Sequence, residues 1–428
     1  MSRSFSFLRL PAADEGRVAA ALRLLAAFQL ALMLATLPLW LNNGRFPTVP
    51  LLSVPSLPPW LLMSASAFIA AGCLLLVGKS TAASNCVLPQ RSRWLPSGLL
   101  TAGFLAGCCN QHCLQAWHVF FLWNLASCLI REPRRQLLAM RHLPACAYIC
   151  SGLSRLSPHP EAGPTGMILT QLTGFLPEGL QPDTAGLVWL CYLAACGEVA
   201  TGALLLGSGW AVRTGLTAAM LLHMMLIAAL GPWGLRHSPA VLLWNVCFLL
   251  LLPVLFSNQH LPDGHGGVAA GERFSRTPRA WVCLLWGISL AGLIGLTDNW
   301  PSWQLYSPRP EQWQLWIDRL YASRVQPEFA AAVSQTSIDD LVAVRLDQAS
   351  LQRTGSPLYP EDRFQLALIQ HILAGVPERV RFRVRIEQPE TWRWWRRTTS
   401  EINDRRTLLL EHRRFWLNSR TPAPPLGR

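Results

Sequence analysis

Between Val18 and Leu296 the chain returns again and again to apolar runs long enough to cross a bilayer. A hydrocarbon core about 30 Å thick takes roughly 20 helical residues to cross. Lipid offers no partner for an unpaired backbone group, so such runs fold as helices. From Asp298 to Arg428 the chain becomes an ordinary charged sequence. The fold expected is therefore an all-α polytopic membrane helix bundle over 1–297, followed by an α+β soluble domain over 298–428. Charged residues make up only 14% of the whole, against about a quarter in an average soluble protein.

Nine segments can be drawn, over 18–41, 58–78, 96–109, 112–130, 137–156, 185–206, 210–231, 239–256 and 277–297. The third and fourth are read as a hairpin turning near Asn110, because charge favours it. With a cytoplasmic N-terminus (Arg3, Arg9, Arg17), the hairpin puts Lys79, Arg91, Arg93, Arg131, Arg134, Arg135, Arg273, Arg276 and Arg279 inside. The 157–184 connection, which has no Lys or Arg, then falls outside. That distribution follows the positive-inside rule. Nine crossings carry the tail to the outer face. The first apolar run has no small-residue cleavage site close behind it and reads as a retained helix.

The net charge is +13, nearly all arginine, with a single lysine, Lys79. Only that residue is available as a lysine base. The basic balance fits cytoplasmic loops of a membrane protein, and nucleic acid is not expected as a partner. The twelve cysteines lie between Cys73 and Cys283, mostly inside apolar runs, where free Cys behaves as a small hydrophobe. Three of them crowd into CCNQHC, 108–113. This is read as a polar turn, with Asn110, Gln111 and His112 serving the unpaired backbone. A metal site is the alternative, but zinc wants four ligands, often from paired knuckles, and no second Cys/His pair of that kind appears at a distance.

Ionisable residues inside a membrane are costly and usually face the bundle interior. Glu198 lies 13 residues past the outer end of its segment, roughly 20 Å deep at 1.5 Å per residue. That count places it near the inner face, with Arg141, His142 or Arg213 as its candidate ion-pair partner. His223 and Asn245 fall in the outer half of their segments, and Arg155 ends its own at the outer face. Asn110, Gln115, Arg155, His223, Trp244 and Asn245 thus form a candidate ligand-binding layer beneath the outer surface. Ala194, Ala195, Gly197, Ala200, Gly202 and Ala203 around Glu198 suggest a centrally packed helix. MILTQLTGFLPEGL, 167–180, suits an amphipathic helix on the outer surface.

In the tail, QWQLWIDRLY (312–321) is read as a surface helix and EDRFQLALIQHILAG (361–375) as an amphipathic one. VRFRVRI (380–386) alternates strictly and reads as a strand, with Val380, Phe382, Val384 and Ile386 inward. RRTLLLEHRRFWLN (405–418) and LVAVRL (341–346) are read as two more strands. The arginines of 380–386, with WRWWRR at 392–397, suit lipid headgroups.

Several phrases resemble bacterial multi-pass membrane proteins of the DoxX/MauE-like kind and, more distantly, the HTTM domain of vitamin K-dependent carboxylases. They are NQHCLQAW, AYICSGLSRL (147–156), GEVATGALLL (197–206), LLHMMLIAALGPWG with LLWN (221–245), and NWPSWQLYSPRPE (299–311). Arg155 stands where the resemblance leads one to expect lysine, so carboxylase chemistry lacks a matching base. The resemblance implies a bacterial inner-membrane bundle, with an extracytoplasmic tail and a quinone-like or lipid ligand or a redox or maturation role. Alternatives are a membrane enzyme using His223 in the outer pocket, and a scaffold whose C-terminal domain recruits a protein partner. Membrane lipids are partners in each case. No cofactor, metal ligand set or catalytic residue is identified.

Overall fold

The computed structural model describes residues 13–41, 44, 46–53, 57–78, 94–257, 276–325, 327–390 and 396–422. Arg3, Arg9, Lys79, Arg91, Arg93, Arg273, Trp392, Arg393, Trp394 and Trp395 lie outside them.

The membrane part comprises α1 (Asp14–Ala35), the short α2 (Leu37–Leu41), α3 (Pro59–Gly78), α4 (Trp94–Cys109), α5 (Ala116–Ser127), α6 (Pro133–Arg155), α7 (Pro164–Thr173), α8 (Thr184–Leu205), α9 (Trp210–Leu230), α10 (Pro239–Phe256) and α11 (Arg276–Leu293). Of the described helices, α1, α3, α8, α9 and α10 are long and apolar enough to cross a membrane. Nine spans are thus more than length and composition establish. At 1.5 Å per residue, the 12 residues of α5 reach only about 18 Å. The helices α4 and α5 do form a hairpin: a Cβ on Gly103 would meet Leu122, and one on Gly107 would meet Leu114. Exposed Trp94 and Trp210 sit at helix starts on one end of the bundle; exposed Trp60, Trp189 and Trp233 sit at the other. Trp favours both faces of a bilayer.

The central helix is α6, buried along most of its length and packed against α8, α11 and α1. Helices α6 and α8 run antiparallel at close approach. A Cβ on Gly152 would lie 2.6 Å from Ala195 O, and one on Gly202 2.6 Å from Ala145 O. This corrects the sequence expectation for α8. Ala195 and Gly202 meet α6, whereas Gly197, Ala200 and Ala203 are exposed, as are Trp189, Leu193 and Cys196. Residues 164–180 form α7 and a following 3-10 turn, with Met167, Phe175, Leu176 and Leu180 exposed.

The tail holds β1 (Gln312–Asp318), α12 (Pro327–Ala330), β2 (Val333–Ile338), β3 (Leu341–Val344), α13 (Leu346–Thr354), α14 (Asp362–Ala374), β4 (Phe382–Pro389), β5 (Arg397–Ile402) and α15 (Arg405–Leu410). The sheet is antiparallel throughout, in the order β2-β3-β1-β4-β5. Its central strand is β1, so the surface helix expected at 312–321 is replaced by a strand. Trp313, Leu315 and Ile317 pair with Ile386, Val384 and Phe382 and are buried with them. A period of two decides this, and the apolar Trp316 on the opposite face hides it in the sequence. The strand expected at 405–418 is α15 and a 3-10 turn: Asp404 caps it, Oδ2 accepting from Thr407 N at 2.7 Å.

The two parts are fused. Phe46 and Val49, from the connection between α2 and α3, are buried in the same core as the sheet and α14. The CCNQHC turn lies beneath the tail, with Asn110, Gln111, His112 and Cys113 all buried. Gln111 Nε2 donates to Pro50 O (2.9 Å) and Asn418 O (2.6 Å), while Gln111 Oε1 accepts from Arg363 Nε at 2.8 Å. Arg363 also reaches Asp298 with two arms, at 2.8 and 2.5 Å.

Candidate functional site

Where the bundle meets the tail there is a cavity of about 320 Å³. Helical spacing explains its walls. Tyr148, Ser151 and Arg155 stand at i, i+3 and i+7 on α6, and Val241, Trp244, Asn245 and Phe248 at i, i+3, i+4 and i+7 on α10. Each set shares one helix face. His223 of α9, Glu198 of α8 and Gln115–Trp117 at the start of α5 add further walls. The roof is the segment after α11, Trp300 to Pro310, with Pro357, Leu358 and Pro360 of the tail.

Tyr148, His223 and Asn245 form a hydrogen-bonded chain. Asn245 Nδ2 donates to Val241 O at 2.8 Å, which turns Oδ1 toward His223 Nδ1, 2.8 Å away. An acceptor there requires the proton on Nδ1. Nε2 is then the bare nitrogen, and it accepts from the Tyr148 hydroxyl at 2.7 Å. Phe248 packs on the imidazole, ring centroids 4.6 Å apart.

Beside this chain lies the ion pair of Arg155 Nη1 and Glu198 Oε1, 2.7 Å apart and buried. Arg155 Nε also donates to Leu305 O at 3.2 Å, and the guanidinium lies 5.7 Å from the Tyr306 ring centroid. Burial pushes the Tyr306 phenol up to about 12, with Arg155 opposing the shift. Trp303 and Tyr306 both take left-handed backbone, φ 63° and 56°, which folds this connection back over the cavity.

Three polar atoms on cavity residues have no partner among the described residues: Gln115 Oε1, Trp117 Nε1 and Glu198 Oε2. Gln115 spends its Nε2 on His112 O (2.9 Å) and Pro357 O (3.3 Å). A buried polar group left unpaired costs roughly 1–3 kcal/mol.

No family model, curated protein or solved structure matches this chain. The site is therefore read from its own geometry.

Of the six residues placed in one layer from the sequence, Gln115, Arg155, His223, Trp244 and Asn245 line the cavity. Asn110 does not. Its Oδ1 accepts from His112 N (3.2 Å) and Val49 N (3.4 Å) and closes the turn. The partner expected for Glu198 is corrected. Arg141 Nε donates to Leu255 O (2.7 Å), His142 Nδ1 accepts from Trp286 (3.4 Å), and Arg213 is exposed at the start of α9. The depth count failed because α8 starts well beyond the end of α6. Residues 195–199 of α8 pack on Gly152, so Glu198 lies level with the last turn of α6, within reach of Arg155. Tyr148 and Ser151 were missed as site residues, although their spacing to Arg155 is helical. Trp300, Gln304 and Tyr306 carried no such periodic signal. Among the described residues, no group of three or more His, Cys, Asp or Glu is placed to hold a metal ion.

Proposed function

We propose that this chain is a multi-pass membrane protein whose junction cavity holds a lipophilic small molecule with a polar head. The observation that carries the reading is the set of unpartnered atoms, Gln115 Oε1, Trp117 Nε1 and Glu198 Oε2, around a wall of Trp117, Leu222, Leu226, Trp244, Phe248 and Trp300. Ligand sites are typically apolar concavities with a few convergent polar groups. The resemblance to DoxX/MauE-like proteins points the same way, toward a quinone-like or lipid ligand. In this reading the protein sits in a bacterial inner membrane with its N-terminus cytoplasmic, crosses nine times, and carries its tail outside.

Mass spectrometry of the protein purified in mild detergent tests the cavity. An amphiphile is expected in near-equal proportion to the protein, and its loss is expected from Ala147→Leu, which adds bulk to the cavity wall. A wild-type protein that carries nothing beyond the detergent control, and takes up no added amphiphile, overturns the reading. A reporter fused after Arg428 tests the topology: cytoplasmic activity there rules out the outer tail.

A second reading, a membrane enzyme of HTTM-like type, is favoured by one observation. The Asn245–His223–Tyr148 chain leaves a basic nitrogen hydrogen-bonded to a phenol at the cavity wall. That arrangement suits proton transfer to or from a bound ligand. Turnover of a bound amphiphile that stops in His223→Phe would support it.

A further inference from the structure

The polar atoms at the cavity wall specify the kind of head the ligand carries. We infer that the cavity takes an uncharged amphiphile whose head bears hydroxyl groups, which both donate and accept. The inference rests on the ligand-binding reading above.

Charge comes first. The charged side chains among the cavity residues are Arg155 and Glu198, and they face each other at 2.7 Å. The two histidines are held by hydrogen bonds that suit their neutral forms. His223 donates at Nδ1 and accepts at Nε2, and His237 Nδ1 accepts from Ser238 N at 2.8 Å. Burial lowers the His237 pKa as well. The formal charge of the wall is therefore zero. An ionic head entering it loses its water with no counter-charge left to replace it.

Hydrogen-bonding capacity comes next. Gln115 Oε1 and Glu198 Oε2 are acceptors without a donor, and Trp117 Nε1 is a donor without an acceptor. All three side chains are more than nine-tenths buried. The Tyr148 hydroxyl spends its proton on His223, so its oxygen adds acceptor capacity only. Donors line the cavity as well: His237 Nε2 carries the proton that Nδ1 lacks, and Ser151, Trp244, Trp300 and Tyr306 bring further O–H and N–H groups. Such a wall calls for a head that both donates and accepts. Hydroxyls do this, since each donates once and accepts as well. A carboxylate or phosphate head only accepts, and it would face Glu198 Oε2. An ester or ether head has no proton to give. An ammonium head donates but cannot accept from Trp117, and it adds a charge beside Arg155.

The aromatic walls, Trp117, Trp244, Phe248 and Trp300, suit either a hydroxylated ring or an aliphatic diol with an acyl chain. The experiment separates these sources. Binding to the full-length protein in nanodiscs is measured by native mass spectrometry with five probes: 1-monooleoylglycerol, an alkylresorcinol, oleate, methyl oleate and oleylamine. At least one of the two diols is expected to bind tenfold or more tightly than the other three. The tighter diol identifies the aliphatic or the ring form. Gln115→Leu is expected to weaken the preferred diol about tenfold while leaving methyl oleate unchanged. Glu198→Gln leaves Arg155 without its carboxylate and is expected to turn preference toward oleate. Melting temperature of each variant reports folding separately, and Gln115→Leu keeps the ion pair intact if Glu198→Gln does not fold. Oleate, methyl oleate or oleylamine binding wild type as tightly as the diols overturns the inference and leaves the cavity reading standing. Failure of all five probes to bind overturns the cavity reading itself.

Discussion

Arg155 at the last turn of α6 and Glu198 in the middle of α8 form a buried ion pair, Nη1 to Oε1 2.7 Å, on the wall of the junction cavity. Removing one partner of such a pair strands the other charge and costs roughly 3–5 kcal/mol. Arg155→Ala and Glu198→Ala are each expected to lose stability on that scale. The paired replacement Arg155→Met with Glu198→Leu should lose less than either, because no charge is left unpaired. Denaturant titration in detergent measures all three. A double variant weaker than both single ones would show that the pair does not act as a unit.

The Tyr148–His223–Asn245 chain assigns one histidine tautomer, with the proton on Nδ1. Nitrogen NMR of labelled histidine should show His223 Nε2 bare in the wild type. Asn245→Leu removes the acceptor, which is expected to redistribute the proton between the two nitrogens and to cost about 1–3 kcal/mol for the stranded donor. An unchanged His223 signal in Asn245→Leu would mean that Asn245 does not set the tautomer.

Arg363 holds the tail to the bundle through Asp298 and Gln111. It is buried, whereas Arg381 pairs with Asp318 from an exposed position. Exposed pairs contribute about 0–1 kcal/mol. Limited proteolysis should therefore release the tail much faster from Arg363→Ala than from wild type, and Arg381→Ala should behave as wild type. Equal release from both variants would deny Arg363 this role.

Beside that contact, burial pushes the Glu361 carboxyl up to about 8, with the negative Asp298 adding to the shift and Arg363 opposing it. Burial likewise raises Asp362 to about 6, with Glu311 adding. Both folded values exceed the ordinary carboxylate range near 4, so the folded state binds more protons than the unfolded one. Stability is then highest below about pH 4 for these groups and falls as pH rises through 8. Glu361→Gln should flatten the upper part of that fall, between roughly 6 and 8. Melting curves from pH 5 to 9 check this, and a slope unaffected by Glu361→Gln would exclude Glu361 as its source.

Gly152 and Gly202 let the α6 and α8 backbones approach closely, each leaving 2.6 Å between a would-be Cβ and a carbonyl oxygen of the other helix. Overpacking usually costs about 1–3 kcal/mol, and backbone contact on both sides leaves little room to yield. Gly152→Val should lose at least that much. Gly197→Ala, on the open face of α8, should lose almost nothing. Thermal unfolding of the two variants compares them directly.

Local pattern alone determined a good deal of this protein. Apolar runs marked the long helices, because a segment crossing lipid must be apolar along its whole length. Strict alternation marked β4, and helical spacing marked α14, because those periods follow from backbone geometry. Shared depth brought His223, Asn245 and Arg155 to one place, since the helix rise is constant. Tertiary structure decided the rest. The stagger of α8 against α6 is set by Gly152 and Gly202 meeting the opposite backbone, and it gave Glu198 to Arg155 instead of Arg141, His142 or Arg213. The central position of β1 depends on partners 25 and 65 residues along the chain, Val342 and Phe382 flanking Ile317. The CCNQHC turn became buried only because Arg363 and Asn418, hundreds of residues away, supply partners for Gln111. Periodicity reports which face of an element is apolar; which element covers that face is settled by long-range packing, and no local pattern encodes it.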